Sequence, residues 1–165
     1  MRALVLAFLF MSNLSFAEST VIFQGVGSPG FLNIDGTGAV VRAKAHVKDN
    51  KYSGFFDVDL SEFRTGISLR DKHMRDEYLE VEKFPKATLV LYPVTLPAQG
   101  FFNWSGKLTL HGVSKPVDGE AFVDKTKIEA KFSVNMSDYN IKKAIYMKVG
   151  VDDKINIVVN LDYPI

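Results

Sequence analysis

The chain has 165 residues, with 20 Lys and Arg residues against 19 Asp and Glu residues, a formal net charge of +1 and no cysteine. This balance excludes the basic footprint that nucleic acid requires, and the absence of cysteine excludes disulfide bonds. No block of like charge indicates a disordered arm or a polybasic membrane tether.

The first residues predict a cleaved signal peptide. Met1 and Arg2 form a minimal positive start, a short apolar stretch follows, and SFA (15–17) offers small residues at the two positions that a signal peptidase inspects. The apolar stretch is shorter than the roughly 20 residues of a transmembrane helix. We therefore expect residues 1–17 to be removed on export to the periplasm, and residues 18–165 to form one domain.

Apolar and polar residues alternate with a period of two along most of the remaining chain, which predicts β-strands. In chain order the alternating segments are TVIFQG (20–25), VVRAKAHV (40–47), YSGFFDVDL (52–60), ATLVLY (87–92), FFNWSGKLTL (101–110), KIEAKFSVNM (127–136) and KINIVVNL (154–161). Turn residues stand between them, at GSPG (27–30), DGTG (35–38), KDNK (48–51), HG (111–112) and VDDK (151–154). Roughly eight or nine strands at hairpin spacing favour an antiparallel sheet that closes on itself or folds double.

Alternation stops at the charged run TGISLRDKHMRDEYL (65–79). Its SLRD stretch (68–71) has the form of a capping box, in which Ser68 accepts from a first-turn amide and Asp71 reaches back. We therefore expect a short helix that ends near Glu80.

The same run could instead hold a catalytic cluster, because Arg, Asp and His together can orient an imidazole and stabilise an anion. However, Arg70 and Asp71 are adjacent on the predicted helix and point in different directions. Asp71 also has a complete role in the cap, and the sequence contains no nucleophile elbow and no cysteine. A structural role is favoured, and the chain is not predicted to be an enzyme.

Metal and phosphate sites are not indicated either. His46, His73 and His111 fall on a predicted strand, helix and turn, and no pair has the spacing of a zinc site. The glycine-rich GVGSPG (25–30) is not followed by the Lys-Ser/Thr pair or the helix of a phosphate loop. We therefore predict no metal and no cofactor.

The apolar faces of the strands suggest a cavity. An eight-stranded barrel is just wide enough either to fill with side chains or to hold one ligand. Small residues take volume away from the filling, and six are predicted to face inward: Ala43, Ala45, Gly54, Ala87, Gly106 and Ala130. In the alternative, large aromatic side chains reach across and close the space. These are Phe56, Phe102, Trp104 and Phe132. We favour an apolar tunnel without internal charge, which suits a long hydrocarbon.

Three segments together resemble the signature of the YceI-like family: TGISLRDKHM (65–74), FPKATL (84–89) and GKLTLHGVSKPV (106–117). Members of that family are small exported proteins that bind polyisoprenoids or related lipids. The resemblance implies an all-β chain folded as an eight-stranded antiparallel lipocalin-like barrel, with one short helix capping one end. It also implies a structural motif that sets the path of the chain where it leaves a strand and that caps this helix. The motif comprises Thr65, Gly66, Ser68, Arg70, Asp71 and His73.

The leading hypothesis is a periplasmic protein that holds a long-chain isoprenoid or similar lipid for carriage or storage, a quinone or its precursor being one candidate. A membrane protein or membrane surface would serve for lipid exchange. A second hypothesis is a filled barrel that acts in a stress response or interaction through its surface. A lipid-modifying enzyme ranks last, because few acid or base groups are predicted to face inward. The predicted ligand-binding residues are Phe56, Val58, Leu89, Leu91, Phe102, Trp104, Leu108, Phe132, Val134, Ile157 and Val159.

Overall fold

The computed structural model describes residues 19–28, 33–143, 145–146 and 149–162. The predicted signal peptide, residues 1–17, lies outside the described residues. Within the described part of the chain, no helix has the length and apolar character needed to cross a membrane.

Antiparallel β-sheet makes up most of the described chain. The strands are Thr20–Ser28 (β1), Asn33–Val40 (β2), Arg42–Lys48 (β3), Lys51–Asp59 (β4), Lys86–Val94 (β5), Gly100–Leu110 (β6), Val113–Val123 (β7), Lys127–Asn135 (β8), Ile145–Tyr146 (β9) and Val149–Asp162 (β10). Hydrogen-bonded neighbours follow the order β2-β1-β10-β8-β7-β6-β5-β4-β3, and the short β9 pairs with β10. The sheet curls around an apolar interior, which confirms the predicted all-β antiparallel barrel.

The helical elements are short and lie between strands. They are a 3-10 turn at Leu60–Glu62, an α-helix at Ser68–His73 (α1), a π-helical turn at Met74–Tyr78 and a 3-10 turn at Met136–Tyr139. We refer to residues 65–80, which contain α1 and the π-helical turn, as the cap segment. The single short helix predicted from the sequence is confirmed.

The predicted number of eight strands is wrong, because nine strands follow one another around the sheet. The difference arises at Val41, the one residue between β2 and β3. The chain stays extended on both sides of Val41, but β2 pairs with β1 while β3 pairs with β4. One extended run is therefore divided between the two edges of the sheet.

The curl also brings β2 against the turn that follows β4. Thr37 N donates to Arg64 O at 2.9 Å, and Arg64 N donates to Thr37 O at 2.8 Å. Beside this bridge the rings of Phe23 and Phe63 meet edge to face, with centroids 5.0 Å apart. The bridge and the ring contact therefore join this end of the sheet to the turn that follows β4.

Two of the predicted turns are confirmed. KDNK places Asp49 and Asn50 between β3 and β4, with φ angles of 50° and 59°. HG places His111 and Gly112 between β6 and β7, with φ angles of 49° and 73°. These are hairpin positions in the left-handed region, which Gly and Asn adopt at lower cost than most residues.

Two other predicted turns are wrong. DGTG (35–38) lies inside β2, where a Cβ on Gly36 would come within 2.0 Å of the Phe23 ring, so this glycine marks a close approach and not a turn. VDDK (151–154) lies inside β10, at a point where the register against β1 jumps. That irregularity is a bulge. GSPG (27–30) falls partly outside the described residues.

Gly119 of β7 allows the indole of Trp104 to lie against the backbone. A Cβ at this position would come within 2.3 Å of Lys131 O and 2.8 Å of Trp104 Cζ2. We expect Gly119→Ala to lower the free energy of unfolding by about 1–3 kcal/mol because it overpacks this contact. Urea denaturation measures the change. Glu120→Ala, at the exposed next position, should stay within about 0.5 kcal/mol of wild type; equal stability for both variants would contradict the tight contact.

Candidate functional site

The interior of the barrel holds a cavity of about 320 Å³. Its wall takes residues from β1 to β8 and from β10, and almost all of them are apolar. This volume lies at the lower end of the range of roughly 300–1,000 Å³ that is usual for small-molecule sites. The cavity is therefore large enough for an apolar molecule of modest cross-section.

All eleven residues predicted to bind the ligand lie on this wall. They come from five strands, with β4, β5 and β6 on one side of β7, and β8 and β10 on the other. By strand they are Phe56 and Val58 of β4, Leu89 and Leu91 of β5, Phe102, Trp104 and Leu108 of β6, Phe132 and Val134 of β8, and Ile157 and Val159 of β10.

The aromatic residues that could have closed the interior stand on the wall and leave the cavity open. Trp104 and Phe132 pack edge to face, with ring centroids 5.3 Å apart and an interplanar angle of 84°. Such pairs stabilise each other beyond their buried area. Their mutual contact holds both rings along the side of the cavity.

The small residues divide into two groups. Three alanines give the cavity its width: Ala45, Ala87 and Ala130. The two glycines permit close strand contacts instead, since a Cβ on Gly54 would lie 2.5 Å from Lys44 O and one on Gly106 would lie 2.5 Å from Val90 O. Ala43 is half-buried and is not part of the wall. The prediction that Ala43, Gly54 and Gly106 add volume is therefore wrong.

The expectation of a cavity without internal charge is also wrong. Thr65, Arg70, His73 and Tyr78 of the cap segment contribute to the wall. Across the described residues, no Asp or Glu lines the cavity. Arg70 thus places one charged residue on a wall that is otherwise almost entirely apolar.

Thr65 anchors the cap segment to the start of its helix. Its N and Oγ1 donate to Asp71 Oδ1 at 2.7 and 2.5 Å. Arg70 donates from Nε to Thr65 Oγ1 at 2.8 Å and from Nη2 to Thr65 O at 2.7 Å. Asp71 is only 6% exposed, so these bonds replace water around a buried carboxylate.

The predicted capping box is wrong in detail. Ser68 is exposed and is the first residue of α1, so it does not occupy the cap position. That position falls on Ile67, whose side chain makes no hydrogen bond to the helix. Asp71 reaches back six residues to Thr65 and not three to Ser68. Gly66, with a φ of 81°, turns the chain and places Thr65 beside Asp71.

Two opposing effects act on the Asp71 carboxyl. Burial raises its pKa, but the hydrogen bonds from Thr65 and the positive charges of Arg64 and Arg75 outweigh burial. The pKa of Asp71 therefore lies below its ordinary value of 3.8, and the group is a carboxylate at neutral pH.

Two of the three histidines are accessible. His46 is exposed on β3, and His73 lies on the cavity wall with Nε2 4.0 Å from Glu77 Oε1. Among the described residues, no three His, Asp or Glu side chains are grouped to hold a metal ion.

His111 forms a contact that sequence reasoning missed. Its Nδ1 lies 3.1 Å from Tyr139 O and its Nε2 lies 3.0 Å from Glu80 Oε2. The Phe84 ring contacts the imidazole in a tilted arrangement, with a centroid distance of 4.3 Å and an interplanar angle of 55°. Glu80 also pairs with Lys83, and this hydrogen bond, followed by that of His111, lowers the pKa of Glu80 against the effect of burial. The β6–β7 turn is thereby tied to the end of the cap segment. Glu80 and His111 are 31 positions apart, so local spacing carried no signal of the pair.

Comparison with protein families gives a match over nearly the whole chain: a model described as the YceI-like domain matches residues 13–163. The UPF0312 protein YE1254 of Yersinia enterocolitica is 36% identical over 88 residues, which cover 47% of this chain and 45% of the relative. Protein YceI of Salmonella paratyphi B is 35% identical over 88 residues, covering 47% and 46%. The matched part thus spans about half the length of the curated relatives.

Solved structures share the fold. BcnA of Burkholderia cenocepacia superposes with a TM-score of 0.75 at 18% identity, covering 88% of this chain and 96% of that one. A structure described as a polyisoprenoid binding domain from Saccharophagus degradans has a TM-score of 0.67 at 18% identity, covering 91% and 98%. At these identities the likeness establishes the architecture alone.

Replacing Asp71 tests whether its cluster with Thr65 holds the cap segment. We expect Asp71→Asn to lower the free energy of unfolding by about 1–3 kcal/mol, because the buried donors of Thr65 lose a charged acceptor. The native pKa of Asp71 is depressed, so its contribution is present above the ordinary pKa of 3.8 and is lost as the pH falls through the native pKa. The stability gap between variant and wild type should therefore shrink as the pH falls below the ordinary pKa of 3.8.

The matched control is Asp76→Asn, which removes a carboxylate of the same segment that pairs with Lys72 at 2.7 Å on the surface. It should change stability by less than about 0.5 kcal/mol. If both variants lose the same stability, or if the Asp71→Asn gap does not depend on pH, the Asp71 cluster does not have the role described.

Proposed function

The chain belongs to the YceI-like family, and from this membership and its cavity we propose that it holds a long-chain isoprenoid or a similar lipid inside its barrel, for carriage or storage. The cavity of about 320 Å³, with its nearly continuous apolar wall, is the observation that carries this proposal. An apolar enclosure of this kind replaces water around a hydrocarbon chain.

The magnitude of the apolar term is sufficient for binding. Each buried CH₂ group contributes about 0.8 kcal/mol. A tail of ten to twenty carbons contributes on that basis roughly 8–16 kcal/mol, against an association cost of about 4–15 kcal/mol. Affinity can therefore arise from the tail alone. Contacts with the polar end of the lipid are needed only to distinguish lipids whose tails have similar lengths.

The comparison structures support the choice of an isoprenoid. The Saccharophagus degradans protein described as a polyisoprenoid binding domain has the same architecture, and the present chain carries the apolar wall that such a ligand requires. A quinone or its precursor is one candidate, since both join an isoprenoid tail to a compact polar ring.

Location and exchange form part of the proposal. The apolar start of the sequence, ending in SFA (15–17), supports export to the periplasm. A water-insoluble cargo must be taken up and delivered, and a membrane surface or membrane protein is the partner suited to that exchange. The filled-barrel alternative has less support, because the aromatic side chains that would close the interior stand on its wall.

Native mass spectrometry tests the proposal most directly. The protein is purified without detergent from the organism that makes it, and any bound molecule is extracted into organic solvent. We expect a reproducible mass increment that matches a prenyl or quinone species. A bare apoprotein mass, combined with failure to take up added isoprenoid, would overturn the proposal in favour of a function carried by the surface.

Narrowing the cavity should weaken the uptake of lipid. Ala130 lines the cavity on β8, and Ala130→Phe places a ring in the space meant for the tail. We expect the affinity for geranylgeraniol to fall by about tenfold or more, the equivalent of roughly 1.4 kcal/mol, without a loss of thermal stability. The fluorescence of Trp104, the single tryptophan of the sequence, reports binding because this side chain is on the cavity wall.

Lys131→Phe is the matched control, because Lys131 is the next residue of β8 and is exposed on the opposite face of the strand. It should bind geranylgeraniol as wild type does. Unchanged binding by Ala130→Phe, or equal losses in both variants, would remove the barrel interior as the binding site.

A further inference from the structure

The wall of the barrel is split between β7 and β8. Within the described chain these two strands pair only over Glu120–Val123 and Ile128–Lys131, although β7 begins at Val113 and β8 continues to Asn135. On their other sides both strands stay paired along their whole length, β7 with β6 and β8 with β10. The sheet therefore has a gap between β7 and β8, next to the β6–β7 turn.

A proline stands where its missing N–H faces this gap. Across the β7–β8 turn, Asp124 N donates to Lys127 O at 3.0 Å. Because the N–H groups of a strand alternate between its two neighbours, every second residue of β7, back to position 116, directs its N–H toward β8. Pro116 has no N–H to donate, and proline in a sheet is confined to edge positions or bulges. The sequence itself thus prevents a complete ladder between β7 and β8.

The 3-10 turn Met136–Tyr139 borders the gap from β8. Tyr139 is 2% exposed, belongs to the same buried cluster as Val134, and has its carbonyl oxygen 3.1 Å from His111 Nδ1. Val134 lines both the central cavity and a depression of about 270 Å³ on the outside of the gap. At this point the wall between the two is one side chain thick. The depression is lined by Lys115, Pro116, Val117, Ser133, Val134, Asn135, Asp138, Tyr139 and Lys154.

Polar contacts at the surface hold the turn in place. Lys115 of β7 donates to Asp138 Oδ1 at 2.8 Å. Ser137 donates from N and from Oγ to the carboxylate of Asp153 in β10, at 2.8 and 2.5 Å. Exposed contacts of this kind are individually weak. Releasing the turn breaks fewer backbone hydrogen bonds than separating two paired strands would, and such regions open at the lowest free energy.

We propose that the turn Met136–Tyr139 is a gate, and that lipid enters and leaves the cavity between β7 and β8 when this turn moves out of the gap. The inference rests on the proposed function and adds the route by which the cavity is loaded. A route between paired strands would require a row of ladder hydrogen bonds to break, whereas here the strands are already apart. Entry elsewhere in the barrel would not depend on this turn.

A disulfide that holds the turn against β10 tests the gate. Ser137→Cys combined with Asp153→Cys places two thiols where the side-chain oxygens are 2.5 Å apart, and the sequence contains no other cysteine. The release of geranylgeraniol from loaded protein into excess phosphatidylcholine vesicles is followed by Trp104 fluorescence in a stopped-flow instrument. We expect oxidation to slow release by about tenfold or more relative to the reduced protein, and dithiothreitol to reverse the slowing.

Thr109→Cys combined with Ser114→Cys is the matched control. These two hydroxyl groups are 2.7 Å apart at the surface, and their residues face each other in the paired part of β6 and β7. Oxidation of this variant should leave the release rate at the wild-type value. An oxidised Ser137→Cys/Asp153→Cys protein that releases lipid as fast as its reduced form, or equal slowing in both oxidised variants, would refute the gate.

Loosening the turn should have the opposite effect. Lys115→Met removes the contact with Asp138, and we expect uptake and release both to become about twofold to fivefold faster, the range for an exposed ion pair. The equilibrium affinity should stay unchanged, because both rates rise together. Lys131→Met is the control, since it removes an exposed pair with Glu129, at 2.7 Å, outside the gap. Unchanged rates in Lys115→Met, or equal acceleration in both variants, would contradict the proposal.

The gate and the proposed function fail in different ways. If wild-type protein takes up no geranylgeraniol, both are overturned. If it binds geranylgeraniol and neither the disulfide nor Lys115→Met alters the rates, the gate alone is overturned. Entry would then lie elsewhere in the barrel, for example where β5 and β6 diverge beyond Leu91 and Gly106.

Discussion

The apolar cavity inside the curled sheet is the constraint on which the rest of this structure depends. Side chains that line a cavity lack packing partners on that side. A cavity of about 320 Å³ therefore leaves its wall with fewer contacts than a filled core would provide. The walls must be held by contacts along the sheet and at its ends, and a tail that fills the cavity recovers part of the lost packing.

Those contacts are concentrated where strands approach closely and where the barrel is covered. Gly54, Gly106 and Gly119 let neighbouring backbones and the Trp104 ring come nearer than a side chain would permit. At the cap segment, the Asp71 cluster and the contact between Glu80 and His111 replace apolar packing with charged hydrogen bonds. The same segment also contributes polar residues to the cavity wall.

Local pattern and long-range geometry explain what the sequence could and could not predict. Alternation identified the inward faces, and so the wall residues, because side-chain direction in a strand follows from position alone. The family resemblance identified the barrel and its capping helix. The spacing of residues assigns the partner of Asp71 to Ser68 and not to Thr65. It does not reveal that the chain turns at Gly66 and brings Thr65 beside Asp71. The division at Val41 depends on which neighbour each half of the strand pairs with, and that is set by the whole curl of the sheet.

The division at Val41 makes tolerance to insertions and deletions uneven along the chain. The register of β3 is set by the two-residue turn that joins it to β4, so a residue added at Val41 would leave Ala45 facing the cavity and would be accommodated between the two edge strands. A residue added between Asp49 and Asn50 would instead change the turn that fixes the pairing of β3 with β4. Changes of length should therefore be tolerated less well at this short turn than at Val41.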